Sequence, residues 1–158
     1  MDIAALEEIK RLKHRYLRCV DLKLWDEIGD ALTADATAEY GTAVRGGPVL
    51  RTGRDAIVGF LRESLPPSII TAHSAQQPEI HLDGDTATGI WAFTDTVIAT
   101  EHDSTMVRGA AFYEDRYERG ADGRWRIRHT GFTRTYEYVV RLGDLPGFQL
   151  TADRWTRG

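Results

Sequence analysis

Ile3, Leu6, Ile9, Leu12, Tyr16 and Val20 recur at three- and four-residue intervals, while Lys10, Lys13, Arg15 and Arg18 take much of the opposite side. This periodicity predicts an amphipathic helix over roughly residues 2–22. A second, short helix is expected over 23–33, with Leu24, Ile28, Ala31 and Leu32 as its apolar face. Residues 36–43 pattern as a strand ending at Gly41, and the segment 45–52, with Gly46-Gly47-Pro48, as a loop or hairpin. A third helix over 53–65 turns Ile57, Phe60 and Leu61 inward and stops at Pro66-Pro67.

Beyond Pro67 the period changes from helical to alternating. Residues 69–82, 85–100, 105–119 and 124–139 are long, contain Thr and aromatic residues, and alternate roughly in polarity. Asp83-Gly84-Asp85, residues 101–104 and residues 120–123 separate them as hairpin signals. Three helices followed by four long strands argue for an α+β fold, a curved antiparallel sheet wrapped around the helices. One domain is expected over 1–140. Residues 141–158, with Leu145-Pro146-Gly147-Phe148 and Trp155, form a tail that packs on the domain or on a partner subunit.

Length and charge narrow the function. A chain of 158 residues builds one domain with a real core. Its net charge of −4 supplies no basic field for nucleic acid or an anionic membrane, so neither is an expected partner. A lone cysteine, Cys19, cannot close an internal disulfide, which points to a reducing cytoplasm. No apolar run reaches transmembrane length, and the acidic N-terminus lacks the regions of a signal peptide. The sequence offers no Cys–His cluster for zinc, and Gly41, Gly46 and Gly47 have no following Lys-Ser or Lys-Thr, so no phosphate loop is present.

Candidate chemistry begins with Tyr16, Asp21 and His73. A carboxylate beside an imidazole builds a general base near neutral pH, because it fixes the tautomer and stabilises the imidazolium. Each residue also has a structural alternative. Tyr16 suits a core tyrosine with a backbone partner, Asp21 a carboxylate at a helix end or the N-cap of the next helix, and His73 a satisfied core histidine. Tyr40 can donate to a substrate oxygen or make a structural hydrogen bond. Arg134 is either an exposed, salt-bridged arginine or a pocket guanidinium for a carboxylate or departing anion. Trp91, Phe93 and Phe112 are expected to line a pocket or the core, with Asp95 as a second-choice pocket carboxylate. His14 and His102 read as solvent-exposed and His81 as beside a turn. His129, or else the face of Arg126, Arg128 and Arg134, points inward, depending on a bulge. Arg11, Lys13, Arg15 and Lys23 read as a solvated face.

Several motifs in order resemble one family. They are Tyr16-Leu-Arg-Cys-Val-Asp21 with Trp25-Asp26 behind, Leu32-Thr-Ala-Asp35-Ala, Gly53-Arg-Asp-Ala-Ile57, His73, and Tyr117-Glu-Arg-Gly-Ala-Asp-Gly-Arg-Trp125-Arg-Ile127. Together they resemble the SnoaL-like branch of the nuclear transport factor 2-like superfamily over nearly the whole chain. The resemblance implies a cone-shaped fold with three N-terminal helices packed in the curved sheet. The fold hosts isomerases, dehydratases, cyclases, hydrolases and non-catalytic binders, so it does not by itself name an activity.

Three eliminase groups of that branch look similar at the site. Bile-acid 7-alpha-dehydratase matches Tyr16, Asp21, His73 and Arg134. Scytalone dehydratase matches Asp21, Tyr40 and His73, but its second histidine falls on Ala110, near Arg108. Hexachlorocyclohexane dehydrochlorinase matches Asp21 and His73 and carries lysine in place of Tyr16. The resemblance implies His73, Asp21 and Tyr16 as catalytic residues, and Tyr40, Arg134, Trp91, Phe93 and Phe112 as the substrate's surroundings. It implies a lyase (dehydratase) or isomerase acting on a hydrophobic cyclic molecule such as a steroid or polyketide, without cofactor or metal. The alternatives are a non-catalytic small-molecule-binding module, or a cyclase or epoxide hydrolase. A homodimer or homotrimer is the expected assembly, built on the outer sheet face.

Overall fold

Asp2 caps the first helix: its carboxylate accepts the Ala5 backbone N–H at 3.0 Å, satisfying one of the free donors of the first turn. In the computed structural model, which describes residues 2–41, 46–101 and 104–156, helix α1 runs Ile3–Asp21. Ile9, Leu12, Tyr16 and Val20 are buried, in keeping with the periodicity. Lys13, assigned above to the solvated side, is instead completely buried. Position 13 lies four residues after Ile9 and three before Tyr16, so helix geometry puts it on the apolar stripe. The sheet supplies the compensating charge there, Asp115, at 2.7 Å. The helix ends where Lys23 adopts a left-handed φ of 55° and the Leu24 N–H turns back to the Cys19 carbonyl at 2.8 Å.

The second helix is shorter than expected. Helix α2 covers only Trp25–Ile28, a single 3-10 turn spans Gly29–Ala31, and strand β1 already begins at Leu32, running Leu32–Tyr40. Pairing of Leu32 with Ile127 draws this stretch into the sheet, so tertiary contact overrides the local helical pattern. Strand β2, Val49–Thr52, pairs antiparallel with β1 and forms the second arm of a hairpin. Arg45 and residues 42–43 of the expected strand lie outside the described residues, as does His102. Helix α3, Arg54–Ser64, buries Ile57 and Leu61. Strands β3 (Ile69–Asp83), β4 (Thr86–Ala99), β5 (Thr105–Arg119) and β6 (Trp125–Arg141) follow, close to the expected bounds.

The strands form one sheet in the order β2-β1-β6-β5-β4-β3. The sheet is mixed rather than antiparallel throughout, because β1 runs parallel to β6. These two strands are joined through most of the chain, and no hairpin forces them into opposite directions. The fold is α+β, with the helices on the inner face of the curved sheet, as the core shared by Ile9, Tyr16, Ile57, Trp91 and Ile127 shows.

Two irregularities in β6 decide which side chains reach the interior. Arg116 pairs with His129 but Tyr117 with Ile127, leaving Arg128 over; Ala110 pairs with Tyr136 but Ala111 with Arg134, leaving Thr135 over. Each extra residue inverts the alternation of the strand. Trp125 and Ile127 therefore face inward before the first bulge, and Thr130, Phe132 and Arg134 after it. After β6 the chain makes a 3-10 turn, Leu142–Asp144. Trp155 then packs beside the end of α1, with the Lys23 ammonium 5.2 Å from its ring centroid. No helix among the described residues is long and apolar enough to cross a membrane.

Candidate active site

Alternation along β3 turns Thr71 and His73 toward the end of α1, where Asp21 is the last helical residue. A carboxylate at a helix C-terminus meets the unfavourable end of the dipole. Three donors from β3 offset this. Asp21 accepts the Thr71 hydroxyl at 2.8 Å, the His73 backbone N–H at 2.8 Å and His73 Nδ1 at 2.5 Å. Helix α2 is capped by Leu24, so Asp21 is not its N-cap. With Nδ1 facing a carboxylate, the ring proton sits on Nδ1 and the lone pair on Nε2. Phe93 stacks on the imidazole, centroids 5.6 Å apart and planes 11° from parallel.

His73 and Phe93 share the wall of a cavity of about 150 Å³ between the helices and the inner sheet face. Tyr16 and Tyr40 border it too, their hydroxyls hydrogen-bonded to each other. Tyr40 also stacks on Phe60 of α3, centroids 5.8 Å apart. Arg134 borders the same cavity. Its Nη1 and Nη2 donate to the two oxygens of Asp95 at 2.6 and 2.9 Å, and its Nε lies 3.1 Å from Glu137. Burial works against the Arg134 charge, but the hydrogen bonds and charge of Asp95 outweigh it and raise the guanidinium pKa further. Arg134 is thus neither exposed nor free; its fork is committed to a carboxylate in the cavity wall.

The structure brings together Tyr16, Asp21, Tyr40, His73, Phe93 and Arg134 from the residues singled out in sequence, and Asp95 with them. Two others fall elsewhere. Trp91 is fully buried below the cavity and donates its Nε1–H to the Tyr117 hydroxyl at 2.9 Å. Phe112 is 48% exposed on the outer sheet face, opposite Ala92, and does not line the cavity. The residue that does is its neighbour Tyr113, which pairs with Trp91. The sequence carries that signal: Phe112 shares its face with Glu114, Arg116 and Glu118, whereas Tyr113 shares its own with Ala111 and Tyr117. Phe132 was also missed, since only the bulge at Arg128 turns it inward. His14 and His81 are exposed, and His129 bonds the Thr37 hydroxyl at 2.7 Å, away from the cavity. Arg108 is exposed.

Burial pushes the hydroxyl pKa values of Tyr16, Tyr40 and Tyr113 upward, so these phenols are neutral donors at physiological pH. The arrangement therefore provides a carboxylate-oriented imidazole, neutral phenols and a paired guanidinium around one apolar space. It can take a proton from carbon and supply hydrogen bonds to a neighbouring oxygen. Among the described residues, no three His, Cys, Asp or Glu side chains are gathered as a metal site.

Solved structures share this architecture. The chain is similar to a hexachlorocyclohexane dehydrochlorinase, LinA type 2, with a TM-score of 0.78 and 19% identity over 95% of both chains. It is similar to Kfla4162 from Kribbella flavida, with a TM-score of 0.76 and 22% identity over 87% of this chain and 95% of that one. A candidate scytalone dehydratase from Novosphingobium aromaticivorans superposes with a TM-score of 0.74 and 17% identity, over 87% of this chain and 88% of that one. At such identities these likenesses establish the fold. The model of the SnoaL-like domain matches residues 1–131, which hold the whole dyad and most of the sheet. The chain belongs to the SnoaL-like domain family, a branch of the nuclear transport factor 2-like superfamily.

Proposed function

We propose that this protein is a cofactor-independent lyase, of dehydratase type, or an isomerase, with the Asp21–His73 pair as its general base. The observation that carries the reading is the 2.5 Å contact between His73 Nδ1 and Asp21 Oδ1 on the wall of an apolar cavity. His73 Nε2 takes a proton from a substrate carbon next to a carbonyl, and Asp21 stabilises the imidazolium that forms. On the enolate that forms, the negative charge sits on the carbonyl oxygen and is carried by the electron pair of the broken C–H bond. In elimination that pair becomes the new double bond, and the C–O bond breaks as the hydroxyl leaves with a proton from a cavity phenol or from the imidazolium. In isomerisation the proton returns to a different carbon. Solved relatives named as a dehydrochlorinase and a candidate scytalone dehydratase support an eliminating chemistry.

A cavity of about 150 Å³ matches one benzene-sized ring. The substrate is accordingly the reacting ring of a hydrophobic cyclic ketone, as found in steroids or polyketides, with any remainder reaching out of the mouth. The test is turnover of hydroxylated cyclic ketones, followed by absorbance of the new conjugated double bond. His73→Ala is expected to lower the rate by about 10²–10⁴-fold with the fold retained. A substrate turned over equally well by His73→Ala overturns the mechanism. Hydrophobic ketones that bind without turnover replace the enzyme reading with a binding module.

A further inference from the structure

A base that removes a proton next to a carbonyl leaves negative charge on the carbonyl oxygen, and some donor in the cavity must receive it. The Tyr16 and Tyr40 hydroxyls share one hydrogen bond, which takes up one of their two protons. Tyr113 borders the same cavity, and among the described residues nothing hydrogen-bonds its hydroxyl. Beneath its ring lies a buried cation: Lys13 Nζ is 3.3 Å from the Tyr113 centroid.

The setting of that ammonium is specific. Its other contacts are Asp115 Oδ2 at 2.7 Å, Thr130 Oγ1 at 3.4 Å and, farther off, the Tyr16 ring with its centroid at 5.5 Å. Asp115 is held in turn by the Tyr117 hydroxyl at 2.7 Å, which accepts from Trp91 Nε1. The Lys13 and Asp115 side chains are both 0% exposed, and neither borders the cavity. Buried ion pairs of this kind rarely add stability over an apolar pair of the same size. A cation against a ring face in a low-dielectric interior favours negative charge on that ring and its oxygen, and here it works against the opposing charge of Asp115.

We propose that Tyr113 is the donor that receives the developing oxyanion, and that Lys13, pinned by Asp115, is a positioning residue that strengthens this donor through the ring. The inference rests on the reading of the cavity as a proton-abstraction site and adds a substrate requirement: an uncharged ring carbonyl that reaches Tyr113 while its α-carbon faces His73. Burial keeps the phenol protonated, as a donor must be.

The experiment uses cyclohex-2-enone as a probe that fits one ring's space, with binding measured by titration and the ketone stretch by infrared difference spectroscopy. In the unaltered protein the stretch moves to lower wavenumber than in an apolar solvent. Tyr113→Phe loses that shift and weakens binding about tenfold, the worth of one hydrogen bond. The double variant Lys13→Met/Asp115→Asn, which removes both charges at similar volume, still binds the ketone but loses a measurable part of the shift. A merely structural role for Lys13 would leave the stretch of a bound ketone unchanged. Should the double variant not fold, 3,5-difluorotyrosine at position 113 is the substitute: its more acidic phenol deepens the shift in an otherwise intact protein. A shift that is the same in Tyr113→Phe, a full shift in the folded double variant, no deepening with difluorotyrosine, or no binding at millimolar ketone overturns the proposal. His73→Ala keeps the shift, so the loss of the base reading and the loss of this one are seen separately.

Discussion

A Cβ on residue 109 would fall 2.7 Å from Arg134 Nη1 and 2.7 Å from the Tyr136 carbonyl oxygen. Gly109 therefore leaves the space that Arg134 occupies while it holds Asp95. The Tyr136 carbonyl is backbone and cannot swing away, so Gly109→Ala must displace the strand, the guanidinium or both. The expected cost is about 1–3 kcal/mol of stability, typical of overpacking. Arg134→Lys keeps the charge but loses the fork, and leaves Asp95 with a single point contact. Both variants are expected to lower turnover more than they lower the urea midpoint; wild-type activity in Gly109→Ala would show that the Arg134 position is immaterial.

Four tyrosines link folding to alkaline pH. Burial holds the Tyr16, Tyr40, Tyr113 and Tyr117 hydroxyls above the ordinary phenol range. The unfolded chain releases these protons near pH ~10, and the folded chain only at higher pH. Above the ordinary value the folded state thus binds more protons than the unfolded state, and stability falls as pH rises. Each tyrosine contributes up to about 1.4 kcal/mol per pH unit to the slope. Urea midpoints measured from neutral pH to beyond pH ~10 should fall steeply, and Tyr40→Phe should flatten the fall. A midpoint that does not change over that range would contradict it.

Much of this was legible in sequence, for reasons that differ by region. The four long strands and α1 stand out because their periods persist over many residues, and their bounds agree closely with the structure. Residues 23–33 misled because Leu24, Ile28, Ala31 and Leu32 have helical spacing, yet Leu32 is claimed by its pairing with Ile127. Asp21 and His73 were found through motif order, and their contact depends on the fold alone. Phe112 has the aromatic character of a pocket wall, but the charged residues that share its face mark that face as outer. Lys13 was read by charge rather than by its place on the Ile9–Tyr16 stripe, and the partner that permits its burial sits on a distant strand.

The outer sheet face predicts self-association. Phe112, Tyr136 and Tyr138 are 48%, 54% and 44% exposed, and the two tyrosine rings stack with centroids 6.3 Å apart. Side chains of this size on one face are the material of an interface core. We expect light scattering to report a homodimer or homotrimer, and Tyr136→Glu to reduce it toward monomer. A monomer at micromolar protein would count against this.

The sharpest distinction lies between Asp21→Asn and Thr71→Val. Three donors converge on Asp21: the Thr71 hydroxyl, the His73 backbone N–H and His73 Nδ1–H. A carboxylate accepts all three, whereas an asparagine offers one acceptor oxygen and turns an N–H₂ toward at least one of the donors. The substitution leaves at least one part-buried donor unmatched, at a cost of about 1 kcal/mol. It also removes the charge that stabilises the imidazolium and frees the ring to choose the wrong tautomer. Asp21→Asn is therefore expected to lower turnover nearly as far as His73→Ala, by about two to four orders of magnitude. Thr71→Val removes one hydrogen bond and spares the carboxylate, so its loss should stay within about tenfold. Comparing kcat for the three variants on one ketone substrate decides the matter. If Asp21→Asn keeps wild-type turnover while His73→Ala does not, the imidazole works alone and the carboxylate is structural.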